Sequence, residues 1–444
     1  MVNSTAARKH AIVIGASMAG LLAARVLSKH FEKVTVLERD PVDDMPESRK
    51  GQPQTHHIHA LLAQGLTIIK DYFPGIEEEL TSGGALLDDM GIKAHWYQYG
   101  GYRKQFASGL MSMTMSRPYL EYHVRRRLLA LPNVTLIDSC AVTEPLTNPE
   151  KTRIIGVKAT RRADQNTPET FEADLVVDTS GRGAAAPKWL ENLGYQRPTE
   201  DEVKIGVSYS TQVFRRSIKN QADIFIQMVS AAAPHENGGA FLFPIEDDRW
   251  IMTAGAYEGR RPPSDYPGLM EYLRTLPSSN VYDAVVKEEP LGEVITYRYP
   301  SSLRRNYDQL KRFPEGYLVM GDAFASFNPI YGQGMTSAAL QCCALDEILQ
   351  QPNLQSLWKP FFQRLALVID LPWQLTVRED FRYPQVQGQK LPLTDLLNAY
   401  VAKVHQATQR DEVVYAQFLQ VMNLMAPATS LMTPAILWRV LVGK

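Results

Sequence analysis

Residues 10–38 read as one strand–turn–helix–strand unit, and no other stretch of the 444-residue chain narrows its fold so far. Ala11, Ile12, Val13 and Ile14 form a continuous apolar run, the pattern of a parallel strand buried on both faces. Gly20 to His30 carries apolar residues at helical spacing, and Lys33 to Leu37, with β-branched Val34 and Val36, reads as a second strand. The turn between them is Gly15-Ala16-Ser17-Met18-Ala19-Gly20. In such a turn the first glycine permits a tight bend and the last lets helix and strand pack closely. The helix start then offers free N–H groups and a positive dipole end to a pyrophosphate. Glu38 closes the second strand, where a carboxylate accepts hydrogen bonds from ribose hydroxyls. Ser17 replaces the usual middle glycine but is small enough for close approach of phosphates. Glu38 would repel a 2′-phosphate, while Arg39 beside it argues weakly the other way. The alternative is a glycine-closed turn that only packs.

The length points to two or three packed units. Leu61–Tyr72, Glu77–Leu80 and Ser116–Leu131 read as helices, the last opened by Ser116-Arg117-Pro118. Asn133–Val142, Arg153–Thr160 and Phe171–Asp178 read as strands. Between Val203 and Tyr257 the texture becomes β-rich: Ile205–Phe214, Ile224–Val229, Ala240–Ile245 and Trp250–Ala256, the last two joined by a hairpin loop at Glu246-Asp247-Asp248-Arg249. Tyr317–Gly321 returns to a buried strand, Gly334–Gln350 to a helix, and the chain beyond Asn353 is mostly helical. The expected division is 1–200, a β-rich insertion at 201–296, a return to the first unit at 297–350, and a helical region at 351–444.

A second signature comes far downstream. In Gly316-Tyr-Leu-Val-Met-Gly321-Asp322 a buried strand ends in Gly-Asp, and Asn328-Pro329-Ile-Tyr-Gly332-Gln-Gly334-Met335 then opens a helix with a Gly-x-Gly turn. Such a turn presents free N–H groups toward electron-rich oxygens, and Asp322 is placed to accept hydrogen bonds from a polyol chain. With these residues the sequence resembles the PHBH-like flavoprotein monooxygenase superfamily, which includes the aromatic hydroxylases. The resemblance implies an α/β fold: an FAD-binding Rossmann-like domain of the glutathione-reductase type, an inserted β-sheet substrate domain and a helical C-terminal region. It implies that Asp322 holds the ribityl hydroxyls and that Pro329, Gly332, Gly334 and Met335 lie along the isoalloxazine ring. Gly15, Ser17, Met18, Ala19, Gly20, Glu38, Arg39, Arg49, Arg117 and Val142 complete the expected cofactor set, Arg117 approaching the FAD phosphates or ribityl chain. Ala173-Asp-Leu-Val-Val-Asp178-Thr-Ser180-Gly181-Arg182 resembles the second nucleotide-domain fingerprint, but Ser180-Gly181 replaces the Asp-Gly pair linked to use of both FAD and NADPH. Electrons are therefore expected from NAD(P)H without a dedicated site, or through a separate flavin reductase.

A narrower resemblance spans nearly the whole chain. Arg49-Lys-Gly-x-Pro53-Gln54 with His57-x-His59, Val176 to Gly183, Pro244 to Trp250, Tyr307-Asp308 and Asn328 to Gly332 are similar to bacterial epoxidases acting on polyene precursors of polyethers. That implies insertion of one oxygen atom from O2 into an apolar small molecule, by alkene epoxidation or hydroxylation in specialised metabolism. A flavin C4a-hydroperoxide would be the oxygen donor, so no side-chain catalyst is needed; His57 is the one weak candidate for a base. Tyr209, Phe225, Phe241, Phe243 and Tyr257 are candidates for the substrate wall, with core packing an equal reading for the phenylalanines. Two other functions remain open: a flavin-dependent reductase or dehydrogenase of prenyl-like substrates, and a lipid-binding escort that reuses the fold without redox chemistry.

Other chemistries find little support. His56, His57 and His59 do not surround one ion at that spacing, and no Cys or carboxylate cluster helps, so no metal is expected. No nucleophile elbow is present. Asp247 and Asp248 read as solvated loop residues and Arg125-Arg126-Arg127 as a helix face. The Trp-x-Trp-x-Ile-Pro segment of flavin halogenases does not occur. A net charge of −1 gives no pull toward nucleic acid or an anionic membrane. Cys140, Cys342 and Cys343 cannot build a disulfide framework, and with a short polar N-terminus this points to the cytoplasm. The apolar, basic tail from Ser430 to Lys444 reads as a docked helix, with membrane-surface contact the lesser reading.

Overall fold

A computed structural model describes residues 8–49, 51–161, 167–217, 225–257, 259–351 and 356–443. Lys50 of the Arg49-Lys-Gly motif, Ile224 of an expected strand, and Lys444 of the tail lie outside the described residues. The apolar runs named above become a five-stranded parallel sheet. Its order is Tyr317–Val319, Leu175–Asp178, His10–Ile14, Lys33–Leu37, Val134–Ile137. The helix Met18–Leu27 covers it and packs against Arg117–Leu129 and Gly334–Leu349. Leu21, Leu22 and Val26 of the first helix are fully buried. Each such side chain contributes about 1.5–3 kcal/mol by leaving water.

A three-stranded antiparallel sheet, Thr167–Glu172, Ile154–Arg161 and Cys140–Thr147, lies beside this core. An eight-stranded sheet forms the second layer, in the order Ala325–Ser326, Pro290–Arg305, Glu200–Arg215, Arg249–Ala256, Gly238–Ile245, Ile226–Val229, Ala94–Gln98, Gly101–Tyr102. Helices Trp358–Asp380, Thr394–Ala407, Glu412–Met422 and Pro434–Leu441 make the C-terminal region. The mixed α/β class and its parallel nucleotide-type sheet are as the sequence implies.

The differences have local causes. The expected strand Phe171–Asp178 is two strands in two sheets. The chain breaks at Ala173-Asp174, where the Asp174 carboxylate accepts the N–H groups of Lys9 (2.9 Å) and His10 (3.0 Å). The expected strand Asn133–Val142 is likewise broken, at Ser139, whose φ is +49°. The large sheet also draws strands from outside 201–296: Ala94–Gln98 pairs in parallel with Ile226–Val229, and Pro290–Arg305 runs unbroken through 296/297. In the tail, Ile436 and Val440 are buried against the neighbouring helices, while Trp438 and Leu441 are exposed. Among the described residues no helix is long and apolar enough to cross a membrane.

Candidate functional site

Gly15 ends the first strand with φ +100°, and a Cβ on Gly20 would stand 1.8 Å from the Gly15 carbonyl oxygen. Both glycines are therefore required by the close passage of strand and helix. Ser17 precedes the helix but does not cap it. Its hydroxyl instead donates to Glu121 (3.2 Å) and accepts from Arg117 (2.9 Å). The helix start thus keeps its N–H groups without a side-chain cap.

Two buried acids and two buried arginines meet here. Glu38 accepts the N–H groups of Ala16 (2.7 Å) and Asp40 (3.0 Å) and stands 3.2 Å from Arg49. Glu121 pairs with Arg49 and, at 3.2 Å, with Arg117. Nε of Arg117 is buried without a hydrogen-bond partner among the described residues, and Nη1 of Arg49 has only its ion-pair contact with Glu38. Unsatisfied guanidinium N–H groups at a helix start are what an anionic ligand would complete. Glu121 was not singled out in the sequence. Its signal is the four-residue spacing from Arg117, which puts both on one helix face. Arg39 points away, with its side chain exposed near Asp40 and the Gly51 carbonyl. Val142 is half-buried in the three-stranded sheet, two residues past Cys140, whose N–H donates to the Glu38 carbonyl.

The second signature folds onto the first. Gly321 has φ +66° and donates its N–H to Gln341 (2.7 Å). Asp322 is solvent-accessible yet crowded by protein, the position of a group on a cleft wall. Desolvation raises its pKa, and Arg117 and Arg182 oppose the rise. Burial raises the pKa of Tyr297 and Tyr299, and the same carboxylate adds to the rise in both, so it also faces the large sheet. Arg182 is fixed by the Ser301 carbonyl (2.6 Å) and the Ser326 hydroxyl (2.7 Å).

Pro329–Tyr331 is a single tight turn, followed by Gly332 at φ +65°. Gly334 then starts a 16-residue helix that has no side-chain cap at Gln333. A Cβ on Gly334 would meet nothing within 4 Å, so this helix start faces open space. A Cβ on Gly332 would press within 2.8 Å of Ala60, which places the turn against the histidine segment. Met335 is buried behind it.

His57 lies beneath the large sheet. Its Nδ1 is 2.8 Å from the Thr211 hydroxyl, and its ring is flanked by Tyr297 (5.6 Å) and Tyr209 (5.9 Å). Burial, helped by His56, lowers its pKa to about 4. His59 falls to about 3, through burial and the nearby Arg117. Both imidazoles are neutral at pH 7 and weakly basic. No group of three or more potential metal ligands is found among the described residues. Phe225, Phe243 and the half-buried Phe241 form one apolar cluster, reached by Ile58 and Ala60 from the histidine segment. Tyr209 is buried with its hydroxyl toward the Ile330 backbone, and Tyr257 lies tilted against Tyr383 with ring centroids 4.3 Å apart. Asp247 and Asp248 are exposed in the hairpin turn. The sequence did not point to Tyr297 or Tyr299, because they reach the cleft only through sheet pairing, and Arg182 stood out in it only as the end of the second fingerprint.

The geometry has parallels in known proteins. The solved flavoprotein/dehydrogenase of Cytophaga hutchinsonii superposes with a TM-score of 0.68 at 14% identity, covering 98% of this chain and 96% of that one. The p-nitrophenol 4-monooxygenase PnpA of Pseudomonas putida DLL-E4 gives 0.65 at 14% identity, over 94% and 98%. At that identity the likeness concerns the fold alone. Kynurenine 3-monooxygenase of Salinispora arenicola is 22% identical over 366 residues, 77% of this chain and 72% of that protein. No protein-family model matches the sequence. Protein Rv3254 of Mycobacterium tuberculosis is 37% identical over 358 residues, covering 78% of this chain and 74% of that protein, and the chain belongs to the same family as Rv3254.

Proposed function

We propose that the chain holds FAD noncovalently and is a monooxygenase transferring one oxygen atom from O2 to a small organic substrate. One observation carries this reading. The uncapped helix start at Met18 meets the Gly321-Asp322 turn at Ala19, Arg117 with its unsatisfied N–H stands by both Ser17 and the accessible carboxylate of Asp322, and a second uncapped helix start, at Gly334, opens the helix that packs on the first. That donor set matches a ligand with a pyrophosphate, a polyol chain and a ring with electron-rich carbonyls. The first helix start with Arg117 and Arg49 would take the pyrophosphate. Glu38 would take the ribose, Asp322 the ribityl hydroxyls, and the Gly332-Gln333-Gly334 amides the ring edge. The named monooxygenases among the relatives and fold neighbours support the same assignment.

Once bound and reduced, FAD supplies the electrophilic oxygen by reaction with O2. The chain's own part is to orient the substrate and exclude water. Phe225, Phe241 and Phe243 offer an apolar wall, and Tyr209 and Tyr257 a polar one. An aromatic ring usually needs an ionised hydroxyl, and hence a base, before it attacks such an oxygen. His57 and His59 are poor bases, because burial disfavours their protonated forms. This favours an alkene, and so epoxidation, over aromatic hydroxylation.

The test is to purify the chain, identify released flavin, reduce it, and mix it with labelled O2 and polyene, terpenoid and aromatic substrates. Labelled epoxide is the expected product. A protein that takes up no FAD removes the whole reading, and product formed without O2 points to a reductase. Labelled phenol in place of epoxide would restrict the error to the substrate class. Slow reduction by NADPH alone, accelerated by a flavin reductase, is expected from Ser180-Gly181.

A further inference from the structure

The long helix Trp358–Asp380 carries Pro372, Thr376 and Asp380 at four-residue intervals, all buried. That spacing puts them on one face, and the face is turned to the segment 328–333. Thr376 Oγ1 donates to the Gln333 side chain (3.2 Å), at the start of the helix Gly334–Leu349. Asp380 Oδ1 accepts two hydrogen bonds, from Asn328 Nδ2 (2.8 Å) and from the Tyr331 hydroxyl (3.2 Å). These donors bracket Pro329 and Ile330. Asn328 is held further, since its Oδ1 accepts the Ile330 N–H (3.2 Å) and its own N–H donates to Ser302 Oγ (3.0 Å). One carboxyl group therefore ties both ends of the turn to this helix, and Thr376 adds a third tie at Gln333.

The surroundings decide its charge. Asp380 is fully buried, and its Oδ2 has no hydrogen-bond partner. Among the described residues no cation pairs with it. Arg382, two residues further on, is engaged by Glu379 at 2.8 and 2.9 Å, and Glu379 carries a charge of the same sign as an ionised Asp380. From the other elements it is faced by phenols: Tyr331 on the turn, Tyr257 and Tyr209 on the large sheet, and Tyr383 beyond the helix end. Tyr99 stands behind the Glu379–Arg382 pair. The bonds from Asn328 and Tyr331 serve either form and favour the carboxylate, but ionisation would leave Oδ2 buried with neither donor nor cation, a cost of several kcal/mol that opening the turn to water would relieve. Burial, with Glu379 adding, moves the pKa up to about 8 against the opposing hydrogen bonds of Asn328 and Tyr331.

We propose that Asp380 is a positioning residue: as the neutral acid it clamps the Asn328–Tyr331 turn, holding the Gly332–Gly334 amides toward the cleft, and its ionisation loosens that turn. The clamp belongs to the protein alone. Its effect on cofactor affinity rests on the FAD reading above.

The test is hydrogen exchange of the full-length chain without flavin, followed by mass spectrometry on the peptide spanning 328–334. Wild type, Asp380→Asn and Asp380→Ala are compared at pH 6.5 and 9 after correction for intrinsic exchange. Asp380→Asn keeps the accepting oxygen and cannot ionise. In wild type, protection should fall about tenfold at one pH unit above the midpoint, as the neutral fraction falls. In Asp380→Asn it should stay at the neutral-pH level throughout. If Asp380→Ala does not fold, the wild-type and asparagine pair still decides. Equal protection of wild type at both pH values, or the same loss in Asp380→Asn, overturns the clamp. FAD titration by flavin fluorescence then adds the second arm, with weakening expected above pH 8 in wild type only. Exchange that behaves as expected in a protein that binds no FAD at any pH supports the clamp and removes the flavin reading.

Discussion

A Cβ on Gly321 would lie 2.8 Å from the Cβ of Ala19. The helix start of the first motif and the Gly-Asp turn of the second, from opposite ends of the chain, thus touch at a point where a side chain does not fit. Gly321 also has φ +66°, a conformation that costs a residue with a Cβ about 1–2 kcal/mol. Gly321→Ala should therefore lower the unfolding midpoint and reduce the flavin bound per polypeptide. Denaturation curves with and without FAD check both, and an unaltered midpoint with full flavin content would count against the close approach.

Asp322 is accessible and makes no hydrogen bond or ion pair among the described residues, so its removal should leave the fold intact. If it accepts ribityl hydroxyls, Asp322→Ala should weaken FAD binding by roughly 1.5–3 kcal/mol, the range for a charged hydrogen bond. Flavin fluorescence titration reads that loss, and the apoprotein melting point serves as control. Unchanged affinity takes Asp322 out of the site.

Glu121 holds both Arg49 and Arg117 at the first helix start. It neutralises them in the free protein and competes with any anion that would use them. Glu121→Gln should lower apoprotein stability by about 3 kcal/mol, because two buried guanidinium groups lose a counter-charge. It should also tighten the binding of ADP, taken as a probe of the pyrophosphate position, and steepen its salt dependence. Calorimetric titration at two ionic strengths distinguishes these outcomes. Weaker ADP binding in the variant would mean that Glu121 orients the arginines rather than competing for them.

The nucleotide half was legible because its chemistry is local. Gly15, Gly20, Gly321 and Gly332 each answer a backbone constraint that shows in the sequence, and Glu38 and Asp322 follow strand ends at fixed spacing. The wall opposite was not legible. Tyr297, Tyr299 and Thr211 reach His57 and Asp322 only because Glu200–Arg215 and Pro290–Arg305 pair antiparallel, a register set by tertiary packing. Asp380 was hidden for a related reason. It ends an amphipathic helix, and nothing in its neighbours in the chain tells that its side chain turns inward onto Asn328 and Tyr331. The phenylalanine candidates show a third limit. Alternation along a strand gives the face on which Phe241 and Phe243 lie, but not whether that face lines a pocket or fills a core.

The buried acid makes a prediction about stability that needs no cofactor. In the folded chain Asp380 keeps its proton up to about pH 8, whereas the ordinary value, met on unfolding, is 3.8. Between those values the folded state binds a proton that the unfolded state releases, so rising pH favours unfolding, by about 1 kcal/mol per pH unit. Below the ordinary aspartate range both states are protonated and the effect vanishes; above pH 8 both are ionised and it levels off. Asp380→Asn removes this dependence while keeping the acceptor for Asn328 and Tyr331. Its stability relative to wild type should therefore increase steadily from about pH 5 to about pH 8. Urea unfolding at about pH 5, 6.5 and 8 measures the difference, and the paired comparison cancels the histidines, which titrate in both proteins. A difference that stays constant with pH, or shrinks as pH rises, would mean that Asp380 is ionised in the folded protein and is paired by a cation or water that this arrangement does not contain.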